Sequence, residues 1–128
     1  MSIKVLIVDD SATARAVIRA ALEKDPAINV VGAAQDAFVA RDMIVKLRPD
    51  VICLDVEMPK MDGFHFAANV KEDDRFEKIP IVFNSSISDH FSELRGKEAG
   101  GEAYLTKFDA SVFYKEISKV IKSHVVAE

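Results

Sequence analysis

Thiols are nearly missing from this sequence: Cys53 is the one cysteine among 128 residues. It stands inside an apolar run with nothing to pair with, so no disulfide framework holds the chain. Long hydrophobic runs are missing as well. None approaches the roughly 20 residues that a helix needs to cross a bilayer, and Asp9 and Asp10 cut the first apolar run short of signal-peptide length. Positive charge is in deficit, with 17 Lys and Arg against 21 Asp and Glu and a formal net charge of -4. That balance repels phosphate backbones and argues against nucleic acid as the main partner. No Pro/Gly/Ser linker, internal repeat or charge block divides the chain. The expectation is one cytoplasmic domain over residues 1–128 with no membrane insertion.

What is present can build a core. Hydrophobic residues make up 49% and charged residues 30%, which removes disordered and low-complexity readings. Five short apolar runs recur, at Ile3–Val8, Ile28–Ala34, Val51–Leu54, Ile79–Phe83 and Ala103–Leu105. Their length and aliphatic content predict strands, and continuous apolar strands are buried on both faces, as in a parallel sheet covered by helices. Between them the period turns helical. Val17, Ile18, Ala21 and Leu22 line one face early in the chain, and Val112, Phe113, Ile117, Val120 and Ile121 do so near its end. Ser11 or Thr13, Asp36, Asp62, Ser88 or Asp89, and Asp109 or Ser111 offer side-chain oxygens to cap the five helices in turn. A five-fold β–α alternation implies an α/β fold: a single flavodoxin-like, doubly wound (βα)5 three-layer sandwich. The run at 28–34, with Asn29 and Gly32, reads as an edge, which favours the parallel strand order 2-1-3-4-5.

In an open sheet of this kind, chemistry gathers beyond the carboxyl ends of the strands, where the strand order reverses. The first strand runs into Asp9 and Asp10, the third into Asp55, the fourth into Ser85 and the fifth into Lys107. Alone, each has an ordinary structural use: an Asp pair or a Ser caps a helix, and a Lys is solvated. Together they bring three carboxylates, a hydroxyl and an ammonium to one rim. Crowded carboxylates need a cation or protons to coexist. An all-oxygen cluster suits Mg²⁺, with Mn²⁺ as the alternative. A carboxylate is also a competent phosphoryl acceptor, and transfer asks little of a protein beyond in-line placement and neutralised equatorial oxygens. Ser85 and Lys107 can each serve one of those oxygens.

Four motifs, "VLIVDDS" at 5–11, "LDVEMPKMDG" at 54–63, "IPIVFNSS" at 79–86 and "AYLTK" at 103–107, then supply a resemblance over essentially the whole chain. It resembles the receiver domains of two-component response regulators. The resemblance implies that Asp55 is the phosphorylation site, and that Asp9, Asp10, Asp55 and the backbone carbonyl of Glu57 hold the metal. It implies Ser85 and Lys107 as the catalytic hydroxyl and ammonium, Ser85 and Tyr104 as the switch pair, and Glu57 and Ile87 as the positions that tune the lifetime of the phosphorylated state. The donor it implies is a histidine kinase. The output partner would be read through the fourth helix, fifth strand and fifth helix, near Ile87, Phe91, Leu94, Tyr104 and Phe113. "NSSIS" and "TKFD" are similar to the receiver halves of CheV-type chemotaxis scaffolds, whose coupling domain this chain has no room for. One departure stands out. Such domains carry Pro after the lysine with a cis peptide between them, and here Phe108 follows Lys107. Either the bond is trans and the loop is rearranged, or a non-proline cis bond is retained.

The function expected is therefore a switch, not a conventional enzyme: phosphorylation of Asp55 shifts a conformational equilibrium and with it partner binding. Glu57 offers no donor to an attacking water and Ile87 orients none, so self-dephosphorylation is expected to be slow. A phosphorelay intermediate, or a receiver excised from a larger regulator, is the alternative. A flavodoxin-like electron carrier is a remote one, because Asp9 and Asp10 occupy the place where a phosphate-cradling loop is needed. His65, His90 and His124 lack metal-ligand spacing and read as surface residues.

Overall fold

The computed structural model describes residues 2–85, 90–106, 115 and 118–120. Its elements alternate as β1 (Ile3–Val8), α1 (Ala12–Leu22), β2 (Ile28–Ala34), α2 (Ala37–Leu47), β3 (Val51–Asp55), α3 (Gly63–Glu72), β4 (Ile81–Ser85), α4 (His90–Glu98) and β5 (Ala103–Thr106). The strands form one parallel sheet in the order β2-β1-β3-β4-β5, so β2 is an edge and the order reverses between β1 and β3.

Alternation along each strand divides the core in two. Leu6 and Val8 of β1, Ile52 and Leu54 of β3, and Ile81 and Phe83 of β4 pack with α2 and α3 residues such as Ile44, Phe64 and Val70. Val5 and Ile7, Val51 and Cys53, and Val82 face the other way, against Ile18 and Leu22 of α1 and against Val120. The apolar strands thus lack a polar face because helices cover both sides. Residues 115 and 118–120 are helical; the rest of the expected fifth helix, with its caps Asp109 and Ser111, lies outside the described residues. So do Ser88 and Asp89, the expected caps of α4.

Three helix starts follow the sequence reading. Ser11 Oγ accepts the Ala14 N–H at 3.2 Å, Asp36 Oδ1 that of Val39 at 2.9 Å, and Asp62 Oδ1 that of His65 at 2.9 Å. Two expectations need correction. Val17 is exposed, and α1 buries Ala14, Ile18, Ala21 and Leu22 instead. Val17 lies a full 100° round the helix from Ile18, on the flank of the buried stripe. The fourth strand runs Ile81–Ser85 and not Ile79–Phe83. Pro80 has no N–H to give a ladder, and the strand continues through two polar residues, Asn84 and Ser85, both fully buried.

The start of β5 is pinned from α3. Lys71 Nζ donates to the Ile79 carbonyl at 2.7 Å and to Glu102 Oε1 at 3.1 Å, while Glu102 Oε2 accepts the Ile81 N–H at 2.6 Å. Cys53 sits in the middle of the sheet, and burial pushes its thiol from 9.0 up to about 12. The unfolded chain loses that proton near pH 9 while the folded one keeps it, so the contribution to stability is full below pH 9 and falls as the pH rises toward 12. We expect Cys53 to react with a thiol reagent at pH 8 at least ~100-fold more slowly in the native protein than in urea. Comparable rates in the two states would mean that this face of the sheet is open.

Candidate functional site

The switch point between β1 and β3 gathers the predicted acids. Asp9 directly follows β1 and Asp55 is the last residue of β3; both are fully buried, while the neighbouring Asp10 is exposed. One carboxylate oxygen from each of Asp9, Asp10 and Asp55 lies within 4.8 Å of the others. An octahedral Mg²⁺ holds its oxygens at about 2.0–2.1 Å, which sets neighbouring ligands about 3 Å apart, so these oxygens would draw together to share one ion. The donor set, all hard oxygen, fits that metal.

Backbone and side-chain donors place the acids. The Ser11 N–H donates to Asp9 Oδ1 at 2.9 Å, the Arg15 guanidinium to the Asp9 carbonyl at 2.7 Å, and the Glu57 N–H to Asp55 Oδ1 at 3.2 Å. Asn84 Nδ2 reaches Asp9 Oδ2 at 3.2 Å. Ser85, at the end of β4, donates through Oγ to Glu57 Oε1 at 3.1 Å. The predicted Ser85 and Glu57 therefore meet each other as well as the acid cluster's edge, a contact the sequence reading did not foresee.

The spacing of "DVEMPKMDG" has a physical basis. After Asp55 the chain drops away from the sheet, burying Val56 and Met58. It then turns tightly, with the Met61 N–H donating to the Pro59 carbonyl at 2.8 Å across Lys60, which takes a φ of 72°. Asp62 caps α3, and its carboxyl is held below the usual range: partial burial raises it, but hydrogen bonds from the His65 N–H and ring, with the charges of His65 and Arg95, outweigh that. Gly63 then returns to the sheet, donating to the Val56 carbonyl at 2.9 Å. A Cβ at this glycine would overlap the Asp55 carbonyl oxygen and come within 2.9 Å of Val56 Cα. The glycine is required for close approach, and it fixes the backbone of Asp55.

Tyr104, on β5, is half-buried, with its ring 6.3 Å from that of Phe83. Leu94 is exposed on α4. Ile87, Lys107, Phe108 and Phe113 lie outside the described residues, and so do the Lys107–Phe108 peptide and the side chain of Phe91. His65 is exposed and bonded to Asp62 at 3.0 Å, away from the acid cluster; His124 is outside the described residues. Sequence reasoning missed Asn84. The available signal was an amide inside an apolar run, one residue before Ser85. Among the described residues no helix is long and apolar enough to cross a membrane.

Known proteins are similar to this chain in sequence and fold. A family profile described as the response regulator receiver domain matches residues 5–118. The chain is 46% identical over 115 residues to a protein-glutamate methylesterase/protein-glutamine glutaminase of Sulfurimonas denitrificans, covering 88% of this chain and 32% of that protein. It is 44% identical over 126 residues to the chemotaxis protein CheV3 of Helicobacter pylori, covering 92% and 40% respectively. The chain thus spans only about a third of the length of such relatives. Among solved structures it is similar to the chemotaxis response regulator CheY4 of Vibrio cholerae, with a TM-score of 0.85, 31% identity and coverage of 94% and 99%. The response regulator domain of Thermotoga maritima CheB gives a TM-score of 0.84 at 26% identity, with coverage of 97% and 96%.

Gly63→Ala should leave a folded sheet but displace the Asp55 backbone. The expected result is a loss of at least ~10-fold in Mg²⁺ affinity, with far-ultraviolet circular dichroism unchanged. Parent-like affinity would show that the loop yields without moving the acid.

Proposed function

We propose a phosphoryl-acceptor function from a plain premise: the chain belongs to the response regulator receiver domain family, with chemotaxis-type relatives. The observation that carries the reading is the buried Asp55 carboxylate at the switch point, with oxygens of Asp9 and Asp10 within 4.8 Å. Asp9, Asp10 and Asp55 would hold Mg²⁺, joined by the Glu57 carbonyl. When bound, that ion neutralises charge on a phosphoryl oxygen.

Asp55 supplies the nucleophile. One of its oxygens attacks the phosphorus of a phosphohistidine on a partner kinase; the P–O bond forms as the donor's P–N bond breaks, and the histidine nitrogen keeps the electron pair and takes up a proton. Ser85 donates to one equatorial oxygen and Lys107 pairs with another. The Ser85 hydroxyl is committed to Glu57 at 3.1 Å in the unphosphorylated chain. A phosphoryl group of nearly two negative charges competes for that hydroxyl and repels the Glu57 carboxylate, so phosphorylation trades one partner of Ser85 for another. The trade moves the end of β4. Tyr104, packed on Phe83 of the same strand, is placed to respond, and the change reaches an output protein through α4, β5 and the helix that follows. We read residues 1–128 as one receiver domain of a two-component, chemotaxis-type pathway.

Incubation with acetyl phosphate and Mg²⁺ should label the parent at Asp55, while Asp55→Asn or added EDTA removes the label. Labelling that survives Asp55→Asn would overturn the assignment. Glu57→Asn should shorten the half-life of the phosphorylated protein several-fold, because an amide can donate to an attacking water where a carboxylate cannot. An unchanged half-life would remove Glu57 from that role.

A further inference from the structure

We infer that Asn84 is a positioning residue for the metal-binding carboxylates, a role that rests on the function proposed above. Asn84 is the penultimate residue of β4 and is fully buried. Its place in the sheet is informative. Val8 pairs with Leu54 and Leu54 with Phe83, and one step further Asp55 pairs with Asn84. Asp9, Asp55 and Asn84 therefore form one row across β1, β3 and β4, on the face where Ile7, Cys53 and Val82 build apolar core. Two members of the row are proposed metal ligands. The third is an amide.

That amide is directed at one of the ligands. Its Nδ2 donates to Asp9 Oδ2 at 3.2 Å, and the orientation is dictated by chemistry, since a carboxylate only accepts. The other Asp9 oxygen accepts the Ser11 N–H at 2.9 Å. Two donors from distant parts of the chain thus fix the rotation of the Asp9 carboxylate before any cation arrives. The rest of the side chain gives the fold little. Among the described residues Asn84 Oδ1 has no hydrogen-bond partner, and a buried acceptor left unpaired is destabilising, so the favourable contact of its polar atoms is the bond to Asp9. Holding a ligating carboxylate is the remaining use for such a residue, and loss of such support characteristically weakens metal binding by about 10–100-fold.

The test is Mg²⁺ titration calorimetry on the whole chain and on Asn84→Val, with urea unfolding of each in the presence and absence of the ion. The variant should bind Mg²⁺ about 10-fold more weakly, the gain in midpoint that Mg²⁺ confers should shrink accordingly, and the metal-free transition should keep the parent's steepness even as loss of the Asp9 partner lowers its midpoint. Parent-like affinity in Asn84→Val would overturn the positioning role while leaving the phosphoryl-acceptor reading intact. Weaker binding together with a shallower metal-free transition would also overturn it, since general loosening would account for both. A parent that takes up no Mg²⁺ would sink the proposed function, and this inference with it.

Discussion

Mutual repulsion among carboxylates governs the design of this molecule. At 4.8 Å, two unit charges in a protein-like medium repel by about 3–4 kcal/mol, and two of the three acids are fully buried. Such an arrangement persists only where the surrounding chain supplies enough directed donors. Here the Ser11 and Glu57 N–H groups and the Asn84 amide supply them. The acids are consequently held in place as well as close together, and a divalent cation bound there, as proposed, would relieve their repulsion. The rest of the architecture serves that edge: the parallel order brings β1 beside β3, and Gly63 lets the loop after Asp55 fold back within contact distance of the sheet.

Most of the fold was legible because its signals are local. The bounds of β1 and β2, the capping oxygens of Ser11, Asp36 and Asp62, and the edge position of β2 all match the sequence reading. Hydrophobic runs mark strands buried on both faces without any need to know which face is which. The misses share a cause. Val17 is apolar and lies next to the buried stripe, and composition does not tell a flank from a centre. Asn84 and Ser85 extend β4 because their polar groups find partners across the sheet in Asp9 and Glu57. Those pairings join residues 75 and 28 positions apart, and no local window contains them.

The aromatic packing behind the site forms a continuous layer. The Phe64 and Phe83 rings stand 5.2 Å apart at 56°, the Arg95 guanidinium lies 4.5 Å over Phe64, and Tyr104 adjoins Phe83 on the other side. Phe83 is fully buried and immediately precedes Asn84 and Ser85. A shift at the end of β4 is therefore felt by the rings that join α3, α4 and β5. Close-packed interiors transmit such shifts instead of absorbing them. At the opposite end of β5, the Lys71–Glu102 pair ties the strand to α3.

The three capped helices share a further property. Each begins just past the carboxyl edge of the sheet, at Ser11, Asp36 or Asp62, and none carries an acid in its first turn. Their backbone dipoles all turn the positive end toward the same edge. The right-handed winding that makes every crossover alike also aligns these fields, so an anionic edge costs less here than it would at the amino ends of the strands. The polarity of the scaffold favours negative charge at that edge whichever chemical group carries it.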